Sequence, residues 1–232
     1  SSFSENHSYP LFMKSKSFNG SSHKIRRIIT SGVFISLAFV LSLVKVYELP
    51  YGGSITLFSM VPIVILGCTY GTKWGIICGL VNGVLQAFMG AAVSKAFVGL
   101  DIFSTIAMCI LDYIIAFAVL GFGGLFYEKM KNKTLAAALG AAIAVFARFA
   151  AHFLSGWILW GGYAEWWFGE LNSSFGNSVL SSMSGQGLAV FYSLCYNGSY
   201  MLPELILTVI GTSTIVAVPA IRKIINSATN KC

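Results

Sequence analysis

The sequence predicts an all-α integral membrane protein of about six transmembrane helices, and three observations predict it. Hydrophobic residues make up 56% of the 232 and charged residues only 10%, whereas a soluble domain carries roughly 25% charged residues. Mean hydropathy is +0.77. The apolar residues also fall in long runs separated by short polar or Gly/Pro segments, with basic residues gathered at the ends of the runs. The net charge of +7 therefore fits the positive-inside rule rather than a nucleic-acid partner, and membrane lipid is the surrounding expected. The length suits one membrane domain and leaves no room for a soluble catalytic or nucleotide-binding domain. Cys68, Cys78, Cys109, Cys195 and Cys232 show no metal-ligand spacing. Four of them lie in apolar runs, where small buried thiols are expected and no disulfide or metal is.

Taken in order, residues 1–27 form a polar N-terminal tail ending in Lys24, Arg26 and Arg27. It lacks the apolar core of a signal peptide, and Met13 is a candidate natural start. A six-helix membrane domain follows over 28–224, with a C-terminal tail over 225–232. The first span, about Ile28–Val46, carries Gly32 and Ser36, a small-xxx-small pair that lets another helix approach; a partner subunit and internal packing both fit. Lys45, Tyr47 and Glu48 precede the turn-forming segment Leu49–Ser54, where Pro50, Gly52 and Gly53 end the helix. The second span, about Leu57–Thr69, is short, and Pro62 predicts a kink or a late start. Tyr70–Trp74 is a tight turn with Lys73. The third span, about Gly75–Met89, holds Asn82 and Gln86 one turn apart.

Lys95 and Asp101 mark the next loop, and the fourth span, about Phe103–Phe126, carries Asp112 near its middle. Glu128, Lys129, Lys131 and Lys133 lead into the fifth span, about Leu135–Trp160. Gly161–Gly187 reads as a long aromatic loop with Glu165 and Glu170 and no Lys or Arg. The sixth span, about Leu188–Val218, has a possible break at Pro203. Basic and acidic segments alternate so that both termini are expected in the cytoplasm of a prokaryotic cell membrane.

The intramembrane polar residues need a reason, since a charge in the bilayer is expensive. Arg148, His152, Gly156 and Trp160 are spaced by four. Successive steps drift only about 40°, so all four line one side of a helix. Arg148, nearest the basic end, reads as structural, snorkelling or capping a carbonyl. His152 either bonds between helices or joins Gly156 and Trp160 in a ligand wall. Asp112, followed by Tyr113, is either a structural ion pair with Arg148 or a counter-charge for a cationic or hydrogen-bonding ligand. Tyr192, Tyr196 and Tyr200 recur every four residues with Asn197 beside them, as an aromatic belt or a pocket stack. Glu204 follows Pro203 and fits either pairing with a cation or accepting a bond from a freed backbone donor, between which the sequence does not choose. Aromatic faces beside a carboxylate suit a flat, cationic heteroaromatic ligand. No HExxH, GxSxG, metal cluster or phosphate loop is present, so no enzyme and no cofactor is expected.

Several segments in the right order carry a resemblance: LAFVL, GGS before MVPI, YGTKWG, LDYIIAF, FARFAAHFLSG and YSLCYNGSYMLP. From about Ile28 to Ile224 the chain resembles the thiamine-specific S components, the ThiT or YuaJ family, of energy-coupling factor transporters. The resemblance implies the S-component fold and high-affinity binding of thiamine from outside. It also implies a transmembrane coupling protein and two ATPase subunits as partners, with ATP consumed by the partners alone. It places the substrate site on Asp112 with Tyr113, His152, Gly156, Trp160, Tyr192, Tyr196 and Asn197, and on Tyr51 as the nearest lid aromatic of the first loop. Gly32 and Ser36 fall on the coupling-protein contact. Two departures stand out: Asp112 replaces a glutamate of the family, and Gly32 and Ser36 replace alanines. The rival readings are an S component for another vitamin or for hydroxymethylpyrimidine, and an autonomous secondary transporter.

Overall fold

Helices dominate because the apolar runs offer the backbone no partner other than itself, and in a bilayer an unpaired amide is costly. The computed structural model describes residues 16–49, 52–93 and 97–229, with side chains from residue 22 onward; Lys95 and Cys232 lie outside the described residues. The first helix, α1 (Lys16–Leu43), begins inside the segment expected to be a polar tail. It runs into a β-hairpin of β1 (Lys45–Glu48) and β2 (Ser54–Thr56), antiparallel with Glu48 opposite Ser54. This hairpin was not foreseen. Strands of four and three residues are too short to leave a period-2 pattern.

Helix α2 (Val61–Tyr70) is buried over residues 61–69. Its ten residues span about 15 Å at 1.5 Å per residue, half of a hydrocarbon core of about 30 Å. The second predicted span is therefore a half-length helix, preceded by the hairpin. Pro62 sits in its first turn, where no amide donor is needed. Gly71, at φ 85°, turns the chain into α3 (Thr72–Ala92).

Helix α4 (Ile102–Gly124) changes its winding along its length. It is α-helical over Ile102–Met108, a π-helix over Cys109–Ile115 and a 3₁₀-helix over Val119–Gly124. Asp101 caps its start, accepting from the amides of Phe103 at 2.9 Å and Ser104 at 3.1 Å. Its far end crosses α2 and α3 at backbone contact. A Cβ on Gly75 would stand 2.8 Å from Gly121 Cα, and one on Gly124 would stand 2.2 Å from Gly67 O.

Helix α5 (Lys133–Trp160) is capped by Asn132, which accepts from the Leu135 amide at 3.0 Å. The expected loop after it is largely helical: a 3₁₀ turn, then α6 (Ala164–Glu170) and α7 (Ser174–Ser182). An apolar anchor drives this. Phe168 is fully buried and stacks on Phe191 with centroids 5.8 Å apart. Helix α8 (Gly185–Ala217) continues through Pro203 without breaking. The last helix, α9 (Pro219–Thr229), enters the expected C-terminal tail. It docks through buried Ile225, through Asn226 Oδ1 accepting from Tyr127 Oη at 3.1 Å, and through Thr229 Oγ1 donating to Thr69 O at 3.0 Å. Burial pushes the Tyr127 phenol up to about 12, so it stays a donor at any ordinary pH.

Among the described residues, five helices are long and apolar enough to cross a membrane, and α2 is a shorter apolar helix beside them. One end of the bundle carries the hairpin with α6 and α7; the other carries the start of α1, the Gly71 turn and α9. Two apolar clusters hold the molecule. A large one around Ile63, Val64, Leu120, Val145 and Tyr192 lies between α2, α4, α5 and α8. A smaller one around Ile65, Tyr127, Ala137 and Ile225 closes the end bearing the termini.

Candidate functional site

A cavity of about 510 Å³ opens among the hairpin and helices α1, α3, α4, α5 and α8. It reaches from exposed Lys45 and Glu48 in the hairpin down to buried Glu204. The volume is that of a pocket for a small organic ligand, roughly 300–1,000 Å³. The structure brings Asp112, Tyr113, His152, Gly156, Trp160, Tyr192, Tyr196 and Asn197 together in its lining. Tyr51 lies outside the described residues. Gly32 and Ser36 do not belong to the cavity; both are exposed on the outer face of α1, and a Cβ on Gly32 would meet nothing within 4 Å. Internal packing is therefore not their reason.

Asp112 sits in the π-helical segment of α4, the kind of local widening that often re-aims a functional side chain. Its Oδ1 lies 2.7 Å from His152 Nδ1 and its Oδ2 accepts from Ser155 Oγ at 2.5 Å. The pair is mostly buried, with side chains 12% and 15% exposed. Asp112 is thus held by α5 through His152 and Ser155, and the reading of it as an ion pair with Arg148 gives way to this arrangement. The carboxylate accepts two bonds and retains lone pairs on the cavity side, since each oxygen can take two. His152 Nε2 is buried and has no hydrogen-bond partner among the described residues, with its ring edge-on to Tyr200 at 6.1 Å.

Asn197 ties α8 to α5. Its Nδ2 donates to Ser193 O at 3.0 Å and His152 O at 3.2 Å, while its Oδ1 accepts from Tyr200 Oη at 2.7 Å. Gly156 makes this crossing possible, because a Cβ there would stand 2.4 Å from Ser193 Oγ and 2.6 Å from Asn197 Nδ2. Tyr192, Tyr196 and Tyr200 form a continuous ring column with centroids 5.6 and 6.0 Å apart. Trp167 of α6 packs edge-on against the first two, at 5.7 and 6.1 Å. Trp160 stands 5.7 Å from Tyr163 at the same end. Tyr113 lies against Gly90 of α3 and 5.7 Å from the Phe97 ring.

The cavity residues outside the sequence reading of the site include Arg148, Ser155, Glu204 and Thr56. Arg148 was expected to snorkel or cap; instead it lines the cavity with its guanidinium carbon 4.0 Å from the Phe117 ring centroid and its Nε without a partner among the described residues. Its place in the four-residue spacing with His152, Gly156 and Trp160 was the signal available. Ser155 carried no signal beyond proximity. Glu204, only 2% exposed, accepts at Oε1 from the Thr56 amide at 2.5 Å and from Thr56 Oγ1 at 2.7 Å, and its Oε2 has no partner among the described residues. Gly53 also donates its amide to Tyr196 Oη at 3.1 Å. Among the described residues, no group of three or more His, Cys, Asp and Glu could hold a metal ion. Below the mouth formed by Lys45 and Glu48, the site is an aromatic cage with two carboxylates, an imidazole and a guanidinium, groups that can stack, answer charge and hydrogen-bond.

Comparison with known proteins adds to this geometry. A family model described as "Thiamine transporter protein (Thia_YuaJ)" matches residues 28–170. Two relatives are each described as thiamine transporter ThiT. That of Bacillus subtilis is 29% identical over 201 residues, covering 82% of this chain and 89% of the relative. That of Lacticaseibacillus paracasei is 28% identical over 189 residues, covering 75% and 76%. A solved structure of ThiT from Listeria monocytogenes matches with a TM-score of 0.64 at 21% identity, covering 87% of this chain and 98% of that one. At that identity the likeness concerns the fold.

Proposed function

The chain belongs to the thiamine transporter protein family (Thia_YuaJ), and from that premise we propose that its cavity is the high-affinity thiamine site of an energy-coupling factor S component. It is a multi-pass bacterial membrane protein of a transport family and not an enzyme. The observation that carries the proposal is Asp112: a carboxylate steadied by His152 and Ser155 within a wall of aromatic rings. Thiamine is flat, heteroaromatic and cationic. Its aminopyrimidine stacks on Trp160 and hydrogen-bonds the polar groups, and its thiazolium lies near Asp112 and the tyrosine column. Each buried aromatic contact contributes about 1 kcal/mol beyond its area. A hydrogen bond to a charged group adds about 1.5–3 kcal/mol. Added to the burial of apolar area, such terms support nanomolar binding, which corresponds to about −12 kcal/mol after ordering costs.

The finer assignment concerns orientation and partners. Lys73, Lys129, Lys131, Lys133, Arg222 and Lys223 lie at the end bearing the termini, and Glu165 and Glu170 at the hairpin end. By the positive-inside rule the termini are cytoplasmic and the cavity faces out. The exposed strip of α1 around Gly32 and Ser36, flanked by Ile29, Val33 and Leu37, is the docking face for a transmembrane coupling protein, itself driven by two ATPases.

Purified protein titrated with thiamine, and separately with hydroxymethylpyrimidine, tests the ligand. Saturable one-to-one thiamine binding, with the pyrimidine at least tenfold weaker, is the expected outcome. Equal binding of both would assign the site to the pyrimidine alone. Co-purification with ATPase subunits tests the partners, and thiamine uptake by liposomes holding this chain alone would assign it to autonomous transport.

A further inference from the structure

The hairpin is held in place by a buried carboxylate rather than by its own strands. A two-stranded ribbon of three or four residues a side is barely stable by itself. Here it forms one side of the cavity, through Gly52, Gly53, Ser54 and Thr56. Glu204 meets it from α8, one turn beyond Tyr200, and among the described residues both hydrogen bonds that its carboxylate makes go to residue 56, one to the amide and one to the hydroxyl. Thr56 Oγ1 is also 2.6 Å from Ser59 Oγ, which carries the connection on to the start of α2.

Burying a carboxylate is expensive. Simple packing does not explain this one, because an apolar side chain would fill the same space without leaving Oε2 unpartnered. What the carboxylate supplies and an apolar residue cannot is an acceptor for the Thr56 amide, which lies at the last rung of the hairpin opposite Lys45. Nearer the mouth, Gly53 sits on the Tyr200 ring, where a Cβ would come within 2.8 Å, and gives its amide to Tyr196. Tyr196 and Tyr200 belong to the ring column of the cavity. The same face of α8 therefore meets both the ligand space and the hairpin.

We propose that Glu204 is a positioning residue: through Thr56 it seats the hairpin against α8, and the seated hairpin retains the bound ligand. The retention half rests on the thiamine reading given above; the seating half does not. Two readouts on the full-length chain in lipid nanodiscs separate them. The first is hydrogen–deuterium exchange of the 52–57 segment without ligand. The second is thiamine dissociation followed by tryptophan fluorescence.

Glu204→Ala is expected to speed exchange at the Thr56 amide tenfold or more. It is also expected to speed thiamine dissociation tenfold or more, with association changed less than threefold. Glu204→Gln, which keeps an acceptor facing Thr56, is expected to restore most of both. Thr56→Val removes the hydroxyl bond and should speed dissociation about threefold, and Thr56→Ser should behave as the parent chain. In the Glu204→Ala background Thr56→Val should have no further effect. Unchanged exchange in a well-folded Glu204→Ala protein overturns the seating, and unchanged dissociation with faster exchange overturns the retention. Should Glu204→Ala not fold, the Thr56→Val and Thr56→Ser pair decides the matter alone. A parent chain that does not bind thiamine would sink the thiamine reading and with it the retention half, while the exchange comparison still decides the seating.

Discussion

At the scale of single residues, the cavity works by fixing charge among rings. Asp112 is held on two sides, so its remaining lone pairs are pre-aimed, and pre-organised polar groups lose little freedom on binding. Replacing Asp112 with Asn removes the charge while keeping the shape, and should weaken thiamine binding tenfold or more, about 1.4 kcal/mol, without unfolding the protein. Trp160→Ala should cost a similar factor by removing the stacking face; calorimetric titration of both variants checks these figures. Gly156→Ala acts differently. Its Cβ would press on Ser193 and Asn197, parting α5 from α8, so both affinity and melting temperature should fall. Most of this cluster was readable from side-chain type and four-residue spacing. Arg148 shares the four-residue spacing, but its place near the basic end of the helix pointed to snorkelling instead, and the partner that gives Glu204 its role is 148 positions away in the chain.

At the scale of elements, glycine contacts decide how α2, α3 and α4 cross. A Cβ on Gly121 would lie 2.2 Å from the Ile76 backbone nitrogen and 2.4 Å from Gly75 C. Backbone cannot yield as a side-chain tip can. Gly121→Ala should therefore destabilise the protein by about 1–3 kcal/mol, seen as a lower melting temperature in detergent and a larger aggregated fraction on size exclusion. Tyr127→Phe removes the bond to Asn226 and should raise hydrogen exchange in α9 while leaving ligand affinity unchanged. The long helices were legible because hydropathy over twenty residues overwhelms local noise. The winding change in α4 was not, since a π-turn leaves composition untouched. Nor was the hairpin, whose pairing depends on α8. The helices of 161–187 were hidden because their apolar residues, such as Phe168, pack on a distant helix and recur with no clear period.

At the scale of the whole molecule, the half-length α2 explains how a small bundle can hold a deep cavity. The charge asymmetry between the two ends predicts accessibility: in intact cells, a cysteine at Glu170 should react with an impermeant maleimide and one at Lys131 should not. The reverse pattern would invert the proposed orientation. The central claim is that the Asp112 cavity binds thiamine. The most direct test is a pair of thiamine titrations, parent chain against Asp112→Asn, monitored by intrinsic tryptophan fluorescence on folded, monodisperse protein. Nanomolar saturation in the parent and a loss of tenfold or more in the variant is the predicted result. Equal affinity in the two proteins would contradict it.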